Sequence, residues 1–186
     1  MNTQFKYIII LLVACFFWFN ACKKVKDPPP TTGDDRLTNP YCNDPHAVNY
    51  NWGFPGKPDN SICIYPVDTF IGTWQFLDSV FAVDSSFSNF QTKTLIFSAS
   101  EDTTSTHLAI KGWCNTETLF AVADKFKHAT VDTLAGEFKG QIICNQSDSI
   151  SGSFNLNTYK KDTMSIELTI QNNVGTQFHR GWAIKQ

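Results

Sequence analysis

The side chains able to carry acid–base, nucleophilic or metal chemistry are four histidines, His46, His107, His128 and His179, six cysteines and a scatter of carboxylates. No His-x-His or His-x-x-x-His pair exists, and no carboxylate completes a zinc-ligand spacing, so no metal and no cofactor is expected. No serine lies in a Gly-x-Ser-x-Gly turn, and no glycine-rich loop could cradle a phosphate. A cysteine nucleophile needs a thiolate beside a base, and disulfides explain these cysteines better. Glu101, Asp102, Glu117 and Glu137 could in principle pair for acid–base work, but no spacing brings two of them together. The chain is therefore read as non-catalytic, with no catalytic residue and no metal ligand.

The positions of the cysteines divide the chain. Tyr7 to Phe19 form an unbroken apolar run behind Lys6, too short for a membrane-spanning helix, which needs about 20 residues, but suited to a signal-peptide core. Phe19-Asn20-Ala21-Cys22, with a small residue before the cysteine, resembles the lipobox of bacterial lipoproteins. That resemblance implies cleavage after Ala21 and acylation, palmitate included, of Cys22. Leu12-Val13-Ala14-Cys15 fits the same pattern better residue by residue, but its apolar core would be only about seven residues and Phe16 to Phe19 would stay on the mature protein. Cysteine parity favours Cys22, because Cys42, Cys63, Cys114 and Cys144 then remain, an even set suited to disulfides in an oxidising envelope.

Residues 1–21 are thus expected to be a lipoprotein signal peptide and 22–41 a lipidated tether, semi-rigid at Pro28, Pro29 and Pro30. The Ala-Cys-Lys-Lys start resembles lipoproteins of the Bacteroidota, in which an acidic cluster behind the cysteine often accompanies transfer to the cell surface. Lys23, Lys24 and Lys26 make this start basic, so the expectation is an outer-membrane anchor facing the periplasm. Beyond the leader, 14 basic residues oppose 17 acidic ones, which leaves no basic field to hold a nucleic acid. A lipid-anchored monomer is expected.

Residues 42–66 are too rich in Gly, Pro and Asn to bury a core, so a bridge from Cys42 to Cys63 is the natural staple, worth about 3 kcal/mol by loop closure. The pattern Cys, x, Asp-Pro, x, Ala, x, Asn-Tyr, then Asp, x, Ser, x, Cys, resembles a short motif of secreted Bacteroidota proteins. Asp44, Asn49, Asn51 and Asp59 could gather oxygens around Ca²⁺; Asx-turns that satisfy local backbone groups are the favoured reading.

From residue 67 to 186 the pattern turns to period-two alternation, clearest at Met164, Ile166, Leu168 and Ile170 against Ser165, Glu167, Thr169 and Gln171. Strands are expected near 69–83, 91–99, 105–114, 117–124, 126–133, 136–144, 148–157, 163–171 and 176–185, with no helix. The fold class is all-β, an antiparallel meander of eight or nine strands closed as a barrel or packed as a β-sandwich. Gly72-Thr73-Trp74 on the first strand and Arg180 on the last resemble the Gly-x-Trp and distal arginine of lipocalins. The resemblance implies that Arg180 packs over Trp74 to seal one end of the barrel, while the open end admits a small apolar ligand. Phe76, Phe97, Phe138 and Phe154, on the apolar parity, would line or fill that interior. Four cysteines permit three pairings, and Cys42 with Cys63 and Cys114 with Cys144 is the favoured one, because each pair then falls within one compositional unit.

Asp78-Ser79-Val80, Asp102-Thr103-Thr104, Asp132-Thr133-Leu134, Asp148-Ser149-Ile150 and Asp162-Thr163-Met164 resemble the O-glycosylation tripeptide of Bacteroidota envelope proteins, with Ser79, Thr103, Thr133, Ser149 and Thr163 as acceptors. Turns also place Asp-Ser and Asp-Thr before strands. Two functions stay open. One is binding of a small apolar or amphipathic ligand in the barrel mouth. The other is an interaction protein with a filled barrel that contacts a protein or glycan, or inhibits a hydrolase, through Trp52 and Phe54, unless these pack the module onto the barrel.

Overall fold

Met164, Ile166, Leu168 and Ile170 are all buried, while Glu167 among them and Gln171 just after reach solvent. The same two-residue rhythm, repeated along nine strands, decides the architecture, because every apolar face must turn inward together. The computed structural model describes residues 35–100, 105–114, 117–132, 141–144 and 148–186. The expected signal peptide, Cys22, the tether to residue 34, Phe138, Thr103 and Thr133 lie outside the described residues.

The chain enters through a 3₁₀ turn, Asp35–Thr38, and two short strands, β1 (Pro40–Tyr41) and β2 (Lys57–Pro58), paired in parallel. A helix α1 (Pro66–Phe70) follows, then β3 (Gly72–Ala82), β4 (Phe87–Ala99), β5 (His107–Lys111), β6 (Leu119–Ala123), β7 (His128–Val131), β8 (Gln141–Ile143), β9 (Asp148–Leu156), β10 (Thr163–Asn172) and β11 (Gly175–Lys185). Antiparallel pairing runs β3–β4–β5–β6–β7–β9–β10–β11 and returns to β3, a closed barrel of eight strands. Closure excludes the sandwich alternative and leaves no long edge exposed.

β7 and β8 share one edge of β9. β7 pairs at Ser153 to Asn155 and β8 at Asp148 to Ile150. Where they meet, the buried side chain of Gln141 takes the place of ladder bonds. Its Oε1 accepts from Phe120 N at 2.8 Å, and its Nε2 donates to Asp132 O at 3.2 Å. Buried backbone groups must be paired, and here an amide side chain does it.

Two expectations are corrected. Residues 66–70 form a helical turn rather than the start of a strand. Pro66 suits the first helical position, and the carboxylate of Asp68 accepts from Tyr65 N at 2.8 Å. Gly72, at φ +141°, then breaks the helix into the strand. The strand expected at 136–144 is confined, among described residues, to Gln141–Ile143.

Helix α1 lies across the barrel end next to the module, with Val67 and Phe70 buried. Below it an aromatic chain fills the interior. Phe70 stacks on Phe97 at 6.4 Å, Phe97 meets Trp74 at 6.3 Å and Phe154 at 5.4 Å, and further along Phe76 meets Trp113 at 6.5 Å. Trp74 Nε1 donates to Phe70 O at 2.8 Å, so even the indole N–H is satisfied inside.

Candidate functional site

The module is built by its own polar residues. Asp44 accepts from His46 N at 2.9 Å and, on its other oxygen, from the Tyr65 hydroxyl at 2.9 Å. Asp59 accepts from Ser61 N at 2.9 Å and from the Ser61 hydroxyl at 2.6 Å. Buried Asn49 donates to Ile62 O at 2.9 Å and accepts from Ile64 N at 2.7 Å. These are Asx-turns and backbone clamps, so Asp44, Asn49 and Asp59 spend their oxygens on the chain itself. The Cys42–Cys63 bridge closes the unit, with Cα atoms 5.0 Å apart. The His46 N–H, then the Tyr65 hydroxyl, hold the Asp44 carboxyl below its ordinary range, and Ser61 does the same for Asp59. Reciprocally, the hydrogen bond to Asp44 raises the Tyr65 phenol.

Between this module and the barrel lies a groove of about 290 Å³, near the lower end of the volumes that hold small ligands. Val48, Trp52 and Ile64 form its module wall; Leu156 and three lysines, Lys127, Lys161 and Lys185, come from the barrel end. No acidic residue lines it, and none of the three lysines is ion-paired among the described residues. Lys127 sits on the β6–β7 turn at φ +68°, held there by Asp124, whose side chain accepts from Phe126 N and His128 N. Glycine or asparagine would relieve that backbone, so the lysine side chain occupies a position its conformation does not favour.

In the half of the barrel away from the module, a polar group stands inside the apolar wall. Asp78, on the inward parity of β3, is fully buried, and its Oδ2 lies 2.7 Å from His179 Nδ1 and accepts from Gln91 Nε2 at 2.7 Å. Asp78 Oδ1 and His179 Nε2 are buried with no hydrogen-bond partner among the described residues. Trp113 lies edge-on to His179 at 5.2 Å, and Lys93 Nζ sits 4.8 Å from the Trp113 ring centroid. An imidazole oriented by a carboxylate is the core of an acid–base pair, but here the second nitrogen is buried away from solvent. Sequence reasoning missed Asp78. The available signal was a carboxylate at an apolar-parity position, between Phe76 and Val80.

The expected Trp74–Arg180 seal is not formed. Arg180 is exposed on the outer face of β11, its guanidinium 5.6 Å from the Phe178 ring. The registered partner of Trp74 is Lys185, whose Nζ lies 5.4 Å from the indole. Parity explains the correction. On β11 the inward residues are His179 and Ala183, so Arg180, with Phe178, Trp182 and Ile184, faces out. Phe76, Phe97 and Phe154 are inside and essentially without solvent contact, and they fill the barrel rather than line a chamber.

Cys114 pairs with Cys144, Cα to Cα 5.5 Å, tying the β5–β6 connection to the end of β8. Cys114 lies beyond β5, which ends at Lys111. Of the tripeptide serines and threonines described, Ser79 and Ser149 are half-buried within strands, Ser79 between buried Asp78 and Val80. Thr163 begins β10 beside exposed Asp162. Trp52 and Phe54 are each 68% exposed at the module tip, although Phe54 makes an edge contact with Tyr41 at 5.6 Å.

No family model matches this chain, and no curated protein does. Among solved structures, a redesigned β-barrel is similar, with a TM-score of 0.39 and 13% identity, covering 65% of this chain and 95% of that one. Among the described residues no helix is long and apolar enough to cross a membrane.

Proposed function

We propose that this protein is a non-catalytic, lipid-anchored protein of the cell envelope whose filled barrel is a rigid scaffold and whose binding end is the one that carries the disulfide-stapled module. The observation that carries the reading is the contrast between the two regions. Phe70, Trp74, Phe76, Phe97 and Phe154 occupy the barrel interior, while Trp52 and Phe54 stand in solvent on a loop pinned by a disulfide and by Asn49. Exposed aromatics on a rigid support are common anchors in binding surfaces. Two disulfides accord with an oxidising envelope. Anchoring at Cys22 and a periplasm-facing position in the outer membrane complete the reading. In the Asp78–His179 pair the carboxylate and the imidazole Nε2 are buried and cannot meet a substrate from solvent, which supports a non-catalytic role.

The test is photo-cross-linking in intact cells from position 52 or 54, compared with positions 87 and 174 at the opposite end. Specific adducts are expected from the module end. Adducts confined to 87 and 174 would overturn the assignment.

A second reading, a small ligand held inside the barrel, is favoured by one observation. Asp78 Oδ1 and His179 Nε2 are buried without partners among the described residues, and a ligand's polar group would satisfy them. A bound mass lost on denaturation, and absent from a His179→Leu variant, would favour this reading over the first.

A further inference from the structure

We propose that the groove between the module and the barrel is a binding site for a free, single-chain anionic amphiphile: a carboxylate or phosphate carried on a short alkyl chain. The inference rests on the module end being the binding end, and it names the class of molecule bound there.

Two halves of the groove set two requirements. Val48 and Ile64 from the module and Leu156 from the barrel make an apolar floor, with the Trp52 indole as its outer lip. A polar or sugar-like occupant would leave that floor unused, whereas an alkyl chain removes it from water. Lys127, Lys161 and Lys185 bring three ammonium groups to the same groove, and among the described residues no carboxylate lines it to neutralise them. Lys185 Nζ lies 5.4 Å from the Trp74 ring centroid, which positions that ammonium in advance, and the backbone from which Lys127 projects is fixed by its turn. An anionic head is therefore attracted and a cationic one repelled.

The lysines come from three separate connections at the barrel end: the β6–β7 turn, the β9–β10 turn and the end of β11. They converge because β7, β9, β10 and β11 lie side by side in the sheet and present these ends together. The opposing wall comes from the module, so the disulfide-stapled segment gains a role as one jaw of the site. A groove of this size, with the exposed Trp52 among its lining residues, suits a single free molecule rather than the plane of a bilayer.

The experiment is calorimetric titration of the full chain, its anchor held in phosphatidylcholine nanodiscs, with octyl phosphate below its aggregation concentration. Saturable binding of one molecule per chain is expected. Inorganic phosphate, octyl glucoside and octyltrimethylammonium should each bind at least about tenfold more weakly. Joint replacement Lys127→Gln, Lys161→Gln and Lys185→Gln should weaken octyl phosphate by at least about tenfold with an unchanged thermal midpoint. Lys161→Glu, at an exposed turn residue, gives the same test if the triple variant does not fold. Equal affinity for octyl glucoside, or undiminished binding by these variants, overturns the proposal. So does an absence of binding heat combined with lysine-dependent attraction to phosphatidylglycerol bilayers, which would make the lysines a membrane contact. Module-end cross-links obtained alongside a failed titration would leave the binding end standing and reject only the ligand class.

Discussion

Asp78 and His179 lie 101 positions apart in the chain and 2.7 Å apart in the barrel, each buried, on neighbouring strands β3 and β11. Asp78 Oδ2 accepts from Gln91 Nε2 and shares a hydrogen bond with His179 Nδ1. Removing one member strands the other in an apolar wall. Asp78→Ala is expected to cost about 3–5 kcal/mol in urea unfolding, as does removing one partner of other buried pairs. The double replacement Asp78→Leu with His179→Leu should cost clearly less than the sum of the single changes. Additive losses would show that the two side chains are not coupled.

The aromatic interior yields a second comparison. Phe97 touches Phe70, Trp74 and Phe154, so Phe97→Ala should destabilise by about 3–5 kcal/mol. Arg180→Ala, on the outer face, should stay within about 0.5 kcal/mol of the parent. A large loss at Arg180 would restore the sealing role that the register denies it.

The two disulfides should separate by what they hold. Replacing Cys42 and Cys63 by alanine should free the module, with a loss of about 3 kcal/mol for a closure of 21 residues, and raise amide exchange at 43–62 while the barrel amides stay protected. Replacing Cys114 and Cys144, separated by 30 residues, should instead lower the unfolding midpoint of the barrel itself. Exchange that rises throughout the chain in the first case would mean that the module and barrel unfold as one unit.

Acid should loosen the module. Asp44 and Asp59 have carboxyls held below their ordinary 3.8 by the turns they cap, so their contribution is present above that value and is lost as pH falls through the lower, folded one. Tyr65 has the opposite sign. Its phenol is raised above 10.0, so its bond to Asp44 contributes below that value and is lost as pH rises through the folded one. Exchange of the His46 and Ser61 amides, corrected for intrinsic rate, should therefore accelerate at acid pH, and Asp44→Asn should flatten the response at His46. An acid profile identical in the variant would assign the loosening elsewhere.

Alternation alone placed most of the barrel strands, because a strand with one wet and one dry face has no other way to write its sequence. β10 and β11 were legible to within a residue or so, at Thr163–Asn172 and Gly175–Lys185 against expectations of 163–171 and 176–185. Even the disulfide partners followed from composition. α1 was not legible, because five residues show no helical period, and its signals, Pro66 and Asp68, act only at its start.

What tertiary structure alone decided depends on register. Parity says which residues share a face, but not which face points inward or which residue stands opposite on the next strand. Sliding or reversing a pairing changes every partner, and so Lys185 rather than Arg180 came to face Trp74. The Asp78–His179 contact and the three-lysine groove have the same origin. Both join residues remote in sequence through strand pairing: β11 against β3 brings His179 to Asp78, and β7, β9, β10 and β11 side by side bring the three lysine-bearing ends together.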